Sequence, residues 1–163
     1  MSNYLELSTT VVIDNDEQKE WLLKELSVED SEEYSDEELT AHRERYQYGD
    51  ICDWPGFLWS FQEEQDDRHL WIHSDESADI EVVASLIQEF IKKFRPHDNH
   101  GFECSYSASR PFEGAFGGSA VFVTAEEIKW MHTNEWLGEQ YEEASNHGGS
   151  SGERKEHHSQ ESN

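Results

Sequence analysis

The sequence predicts an α+β domain with a single mainly antiparallel sheet of about five strands and about three helices packed on it. Three observations carry that expectation. Stretches with the two-residue period of strands and the 3.6-residue period of helices follow one another as β-α-(acidic)-β-β-α-β-β-α. The links between strands are short, which favours hairpins over parallel crossovers. One stretch, Ser77 to Pro96, agrees with a core helix at every local signal.

In that stretch Ile80, Val83, Ala84, Ile87, Phe90, Ile91 and Phe94 recur at three- and four-residue steps and share one helical face. Ser77 is the expected N-cap, since its hydroxyl can accept from a free N–H of the first turn. Asp79 and Glu81 suit the positive end of the helix dipole; Lys92, Lys93 and Arg95 suit the negative end. Pro96 stops the run by disfavouring helical geometry at Arg95.

The remaining elements follow in order. Ser8 to Ile13 is rich in β-branched residues and reads as a strand. Asp14 or Asp16 then caps a helix to about Leu26, with Trp21, Leu22 and Leu26 on its buried side. Ser27 to Leu39 is a nearly unbroken acidic run, either a solvated loop or a short helix starting at Ser35. Ser35-Asp36-Glu37-Glu38 has the form of a capping box, and the helix reading continues to about Tyr46. Gly49 to Gly56, with Pro55, is a turn region.

Phe57–Phe61 and His69–His73 read as strands joined by an acidic connection, with Phe57, Trp59 and Phe61 on one face. After the central helix, His97 to Gly101 reads as a polar loop. Phe102 to Ala108 alternates as a strand, Ser109 to Gly118 is a loop of glycine and aromatic residues, and Ser119 to Thr124 is another strand. Thr124-Ala125-Glu126-Glu127 repeats the capping-box spacing. It predicts a helix through about Tyr141 with Ile128, Met131 or Trp130, Trp136 and Leu137 as core contacts. From about Ser145 the sequence loses apolar periodicity and is low in complexity. The expected division is a single acidic domain over 1–144 and a disordered Gly/Ser/His/Glu tail over 145–163.

Composition separates this chain from ordinary acidic disorder. Only 34% of its 163 residues are hydrophobic, yet 12% are aromatic, which fits a folded aromatic core carrying strongly polar segments. Asp and Glu number 37 against 12 Lys and Arg, a formal net charge of -25. That balance argues against direct binding of nucleic acid or of an anionic membrane. Cys52 and Cys104 form no close pair, and no targeting or long apolar segment stands out, so a reducing, cytoplasmic setting is expected.

Motifs for chemistry are weak. His97 and His100 form an H-x-x-H without a cysteine pair, and His69 and His73 lie too far along one strand to converge on an ion. Asp14-Asn15-Asp16 starts like a calcium loop but has Lys19 where the loop needs glycine. No metal and no cofactor is expected. Cys104 alternates with Phe102 and Tyr106 and reads as a buried small hydrophobe, and Cys52 has no basic neighbour to activate it. No nucleophile motif is present, and the chain is not expected to be an enzyme. The Ser109–Gly118 loop lacks phosphate-loop spacing and carries Glu113 where an anion would approach. It reads as a hairpin loop whose glycines supply positive φ. An alternative is an exposed Arg110, Phe112, Phe116 surface for a partner.

The run Phe112 to Ala120, followed by Val123-Thr124-Ala125, Trp130, Thr133 and Trp136-Leu137, is similar to a pattern in small acidic hypothetical proteins of bacteria and their phages. With Leu70 to Pro96 the resemblance covers about the C-terminal half of the folded part. That group brings no assigned activity, so the resemblance implies a bacterial or phage cytoplasmic setting and carries no catalytic residue.

Charge therefore leads the functional expectation. A chain of this mass exposes roughly 8,000 Å², so an even spread gives roughly one net charge per 300 Å². Duplex DNA carries roughly one per 100 Å². The acids would match that only if gathered on about a third of the surface, and the sequence does cluster them. The first candidates are Asp30, Glu32, Glu33, Asp36, Glu37 and Glu38; the second are Glu63, Glu64, Asp66 and Asp67. The leading expectation is a non-enzymatic binding protein, an inhibitor or anti-defence protein that mimics DNA toward a basic, nucleic-acid-binding partner. The bland reading of the same charge is a solvated surface that keeps the protein soluble. The alternatives are partner binding through the Arg110–Phe116 loop, or a small hydrolase working from His69, His73 or His100 with a carboxylate.

Overall fold

β1 (Asn3–Val12) lies in the interior of a six-stranded sheet, between two strands that come much later in the chain. In the computed structural model, which describes residues 3–28, 32–48 and 54–149, the strand order is β2-β3-β1-β4-β5-β6 and every pairing is antiparallel. The other strands are β2 (Leu58–Glu64), β3 (Asp67–Ser74), β4 (Asn99–Ala108), β5 (Gly117–Thr124) and β6 (Ile128–His132). The helices are α1 (Asp16–Leu26), α2 (Asp36–Tyr46), α3 (Ile80–Phe94) and α4 (Thr133–Gly149). The α+β class stands, with one more strand and one more helix than the sequence suggested.

Period-two alternation sorts the sheet into a covered and an open face. Leu7 and Val11 of β1, Leu70 and Ile72 of β3, Phe102 and Cys104 of β4, and Val121 and Val123 of β5 are buried. They meet Leu22 and Leu26 of α1, Tyr46 of α2 and the apolar face of α3 in one cluster. Trp59 and Phe61 pack against it as the pattern of β2 predicted. The alternate residues Ser8, Thr10 and Val12, Glu103 and Phe122 are exposed on the other side.

α3 contributes most to the core. It buries Val82, Val83, Ala84, Leu86, Ile87, Phe90 and Ile91, and each large side chain there is worth roughly 1.5–3 kcal/mol. Its N-cap is Asp79, whose Oδ1 accepts from Val82 N at 3.2 Å, and not Ser77. Ser77 instead offers its carbonyl to the Ser74 hydroxyl. Arg95, at the basic end of α3, bonds Asp14 Oδ2 at 3.2 Å and the Val12 carbonyl at 3.0 Å.

Other boundaries differ from the sequence reading. β1 starts at Asn3, five residues before the expected Ser8, because Asn3 to Leu7 pair with Ala108 to Cys104 of β4. Residues 99–101 belong to β4, because Asn99 and His100 pair with Thr124 and Val123. The helix expected from Thr124 starts only at Thr133, and Ile128–His132 form the edge strand β6. Thr124 Oγ1 does accept from a backbone N–H three residues on (Glu127, 3.1 Å), but that bond closes a hairpin turn. The capping-box pattern reports a hydroxyl accepting locally, and a turn satisfies it as well as a helix start does. Ile128 and Trp130 still pack against the core, from a strand, whereas Met131, Trp136 and Leu137 are exposed. α4 runs past the expected domain boundary at Ser145 to Gly149; residues 150–163 of the expected tail lie outside the described residues.

Candidate partner-binding surfaces

The acidic segments meet along α1. At the N-terminal end of α1, Lys19 Nζ lies 3.0 Å from Glu63 Oε2, and Arg68 reaches both Asp16 (2.8 Å) and Glu63 (3.1 Å). These bonds hold the tip of the β2–β3 hairpin, with exposed Glu64, Asp66 and Asp67, beside α1. From the middle of α1 to its C-terminal end, Glu20, Leu23, Lys24 and Ser27 line one concavity with Glu33, Tyr34 and Glu38. Lys24 sits over the Tyr34 ring at 5.5 Å. The first and second candidate groups thus flank the same helix, whose exposed residues include Asp16, Glu17 and Glu20. Lys19 and Arg68 hold the Glu63 carboxyl below the usual range by hydrogen bonding, and the Asp16 and Glu63 carboxylates raise the Arg68 guanidinium. Both bases are therefore already engaged by carboxylates of the chain. Asp30 lies outside the described residues; Glu32, Glu33, Asp36, Glu37 and Glu38 are exposed.

The acidic stretch resolves into a helix because Ser35 caps it. Ser35 Oγ accepts from Glu38 N at 3.2 Å, and Glu38 Oε2 accepts from Ser35 N at 2.9 Å, the reciprocal pair the sequence predicted. α2 has almost no apolar face, and its buried residues are His42 and Tyr46. What fastens it to α1 is a polar knot around Glu25. Arg45 donates to both Glu25 carboxylate oxygens (3.1 and 3.0 Å), and Tyr46 donates to Oε2 at 2.7 Å. The Glu25 carbonyl lies 3.0 Å from His42 Nε2 and accepts from Trp54 Nε1 at 3.0 Å. His42 Nδ1 pairs with Tyr48 Oη at 2.7 Å. Burial, and then Glu25, push the Tyr46 hydroxyl far above its ordinary value, so Tyr46 stays a donor. The sequence reading missed this knot, because nothing local distinguishes Glu25 from its solvated neighbours.

The Arg110–Phe116 loop is pinned by buried Ala115 and presents its rings outward. Phe112 is 46% and Phe116 is 64% exposed, and Arg110 is exposed. Phe116 lines a cavity of about 400 Å³ with Tyr106, His132, Thr133 and Glu135. Behind it Ser119 Oγ meets His132 Nδ1 and donates to Tyr106 Oη at 3.3 Å. Burial raises the Tyr106 hydroxyl. Cys104 is buried and free, within 3.8 Å of Tyr106 Oη, whereas Cys52 lies outside the described residues. Ser119 is only 5% exposed, and it does not line the cavity that His132 does.

The histidines expected for a hydrolase are scattered. His69 pairs with Asp67 (3.3 Å), His73 stacks on Trp71 (3.6 Å), and His100 bonds Thr9 Oγ1 (2.7 Å). None lines the cavity beside Phe116 or the groove of the open face. Among the described residues no three His, Cys, Asp or Glu side chains are grouped to hold a metal ion. Nor, among them, is any helix long and apolar enough to cross a membrane.

α4 is the other surface the sequence did not anticipate. Residues 133–147 are all exposed, among them Trp136 (54%), Leu137 (47%) and Tyr141 (70%). Its first residue is tied back by Thr133 Oγ1, which accepts from Gly118 N at 3.0 Å. Comparison with family models, curated proteins and solved structures finds no match.

Proposed function

We propose that this protein is a non-enzymatic binding protein that docks an acidic strip onto a basic protein surface, of the kind a nucleic-acid-binding or defence protein presents to DNA. The observation that carries the reading is the position of α1 between the two acidic groups. Glu63 and Asp16 share Arg68 at one end, and Glu20, Glu33 and Glu38 share a concavity that runs from its middle to the other. An 11-residue helix spans about 16 Å, so the acids line one strip rather than two isolated tips. The strip's bases are taken up internally by Glu63, Asp16 and the Tyr34 ring. Attraction to a basic partner would be long-ranged and screened by salt.

The test is capture of the partner from the source cell on immobilised full-length protein, eluted with a salt gradient or with duplex DNA. Reversal of Glu20, Glu32, Glu33 and Glu37 to lysine is expected to weaken the captured partner's affinity by roughly 100-fold or more. Glu38 is left alone because it closes the α2 capping box. A partner that resists salt, ignores DNA and still binds the reversed variant would overturn the reading.

A second reading rests on the exposure of Phe112 and Phe116. Aromatic rings beside an arginine are common anchors of protein interfaces. On that reading binding tolerates salt and is lost in Phe112→Ala or Phe116→Ala.

A further inference from the structure

Among the described residues, two apolar surfaces have no cover. The first is a stripe on α4. Trp136, Leu137 and Tyr141, with Ala144, fall on one side of the helix, while Glu135, Glu139, Glu142 and Glu143 fall on the other. An isolated helix of this length is marginal in water, and most helical stability comes from packing an amphipathic face. The second is a groove of about 700 Å³ on the open face of the sheet. Its rows are set by strand register: Glu103–Ala120–Met131 and Gly101–Phe122–Lys129. Gly101 and Ala120 give it a low floor, and Phe122 (43% exposed) and Met131 (49%) give it apolar walls. Among the described residues, Glu103 and Lys129 are its only charged lining, so it is near neutral in a chain of net charge -25.

The two surfaces cannot meet within one molecule. β6 ends at His132 and α4 starts at Thr133, so no loop allows the helix to turn back over its own sheet. We propose that α4 of one copy lies in the open-face groove of a second copy, and the reverse, making a twofold dimer in which each sheet gains a helix on its bare side. A twofold exchange covers both surfaces at once, which an unrelated partner seated on one of them would not do. Area is adequate. Aromatic side chains bury about 150–250 Å² each, so half-exposed rings and their groove contacts remove on the order of 500 Å² per helix. Two such contacts give about 1,000 Å², the lower bound of a specific interface. The dimer therefore dissociates on dilution.

Charge sets the sign of its salt response. The α4 glutamates point away from the groove, and the net charges of the two copies repel at long range. Salt screens that repulsion and leaves the apolar contact, so the dimer tightens as salt rises. The α1 strip responds in the opposite direction, which separates failure of this inference from failure of the proposed function.

The test is sedimentation equilibrium of the full chain over a dilution series at low and high salt. The expected result is a monomer–dimer equilibrium that shifts toward dimer with salt. Trp136→Ala with Tyr141→Ala on the helix should weaken it at least tenfold, and so should Phe122→Lys on the sheet. Should Phe122→Lys fail to fold, judged by its thermal transition, Met131→Lys on the edge strand replaces it. Mixing the helix variant with the sheet variant restores one intact contact, and dimer returns in part. A monomer throughout, a dimer untouched by the helix variants, or one that needs the helix but not the groove would each overturn the proposal.

Discussion

α3 and α4 both carry apolar side chains at helical spacing, and they end in opposite states. α3 buries seven residues under the sheet, while every residue of α4 from 133 to 147 is exposed. The difference lies in the connections. α3 is joined to β3 and β4 by short loops that let it lie back across the strands, whereas α4 continues from an edge strand without a loop. Amphipathic spacing therefore states that a face is to be covered, but topology decides whether the chain itself can cover it.

That contrast can be broken most sharply by truncating one side chain in each helix. Phe90→Ala, at 0% exposure, should cost about 3–5 kcal/mol in denaturant unfolding. Trp136→Ala in dilute, monomeric protein should stay within about 0.5 kcal/mol of the parent. A Trp136→Ala cost comparable with that of Phe90→Ala would show that α4 packs within the chain after all.

The next test concerns a helix fastened chiefly by polar bonds. α2 is tied to α1 through Glu25, and removing that buried carboxylate leaves the buried Tyr46 hydroxyl without its acceptor, while exposed Arg45 turns to water. Glu25→Ala should cost about 1–3 kcal/mol, seen as early amide exchange in α2 while α3 stays protected. Equal exchange in both helices would place α2 in the same cooperative unit as the core.

The smallest expected effect is a pH response beneath the sheet. Burial, and then Arg95, hold the His100 imidazole below its ordinary value of 6.5. A depressed histidine favours the unfolded chain as a proton acceptor. Its contribution to stability is complete above about pH 6.5 and is lost as pH falls through the folded value. His100→Gln, which retains a polar partner for Thr9, should flatten the fall in melting temperature below pH 6.5. An unchanged slope would assign that fall to the carboxylates.

What was legible in the sequence follows the same division. The α3 apolar face, the alternation of β4 and the Ser35–Glu38 cap are local patterns, and each appears, with Val82 and Leu86 widening the α3 face. β6 was hidden because Ile128, Trp130 and Met131 also fit a helical period, and because the Thr124 hydroxyl accepts N–H bonds in a turn as well as in a helix start. Asp79 displaced Ser77 as cap by one short side chain in the same acidic turn. The gathering of acids along α1 was not legible, since it depends on Arg68 crossing from the hairpin to Asp16. Nor was the Glu25 knot, whose partners come from α2 (His42, Arg45 and Tyr46) and from Trp54 in the turn before β2.

The interior place of β1 has a kinetic consequence. Its partners are Leu7↔Ser74 on one side and Leu7↔Cys104 on the other, both distant in sequence. Neither edge of β1 can close locally, so the loop-entropy cost falls before the pairing is rewarded. The hairpins β2–β3 and β4–β5 can form early on their own, and β1 is the late strand that joins them into one sheet. Until it does, two half-sheets with unpaired edges coexist, and this is the stage at which the chain is most exposed to misassociation.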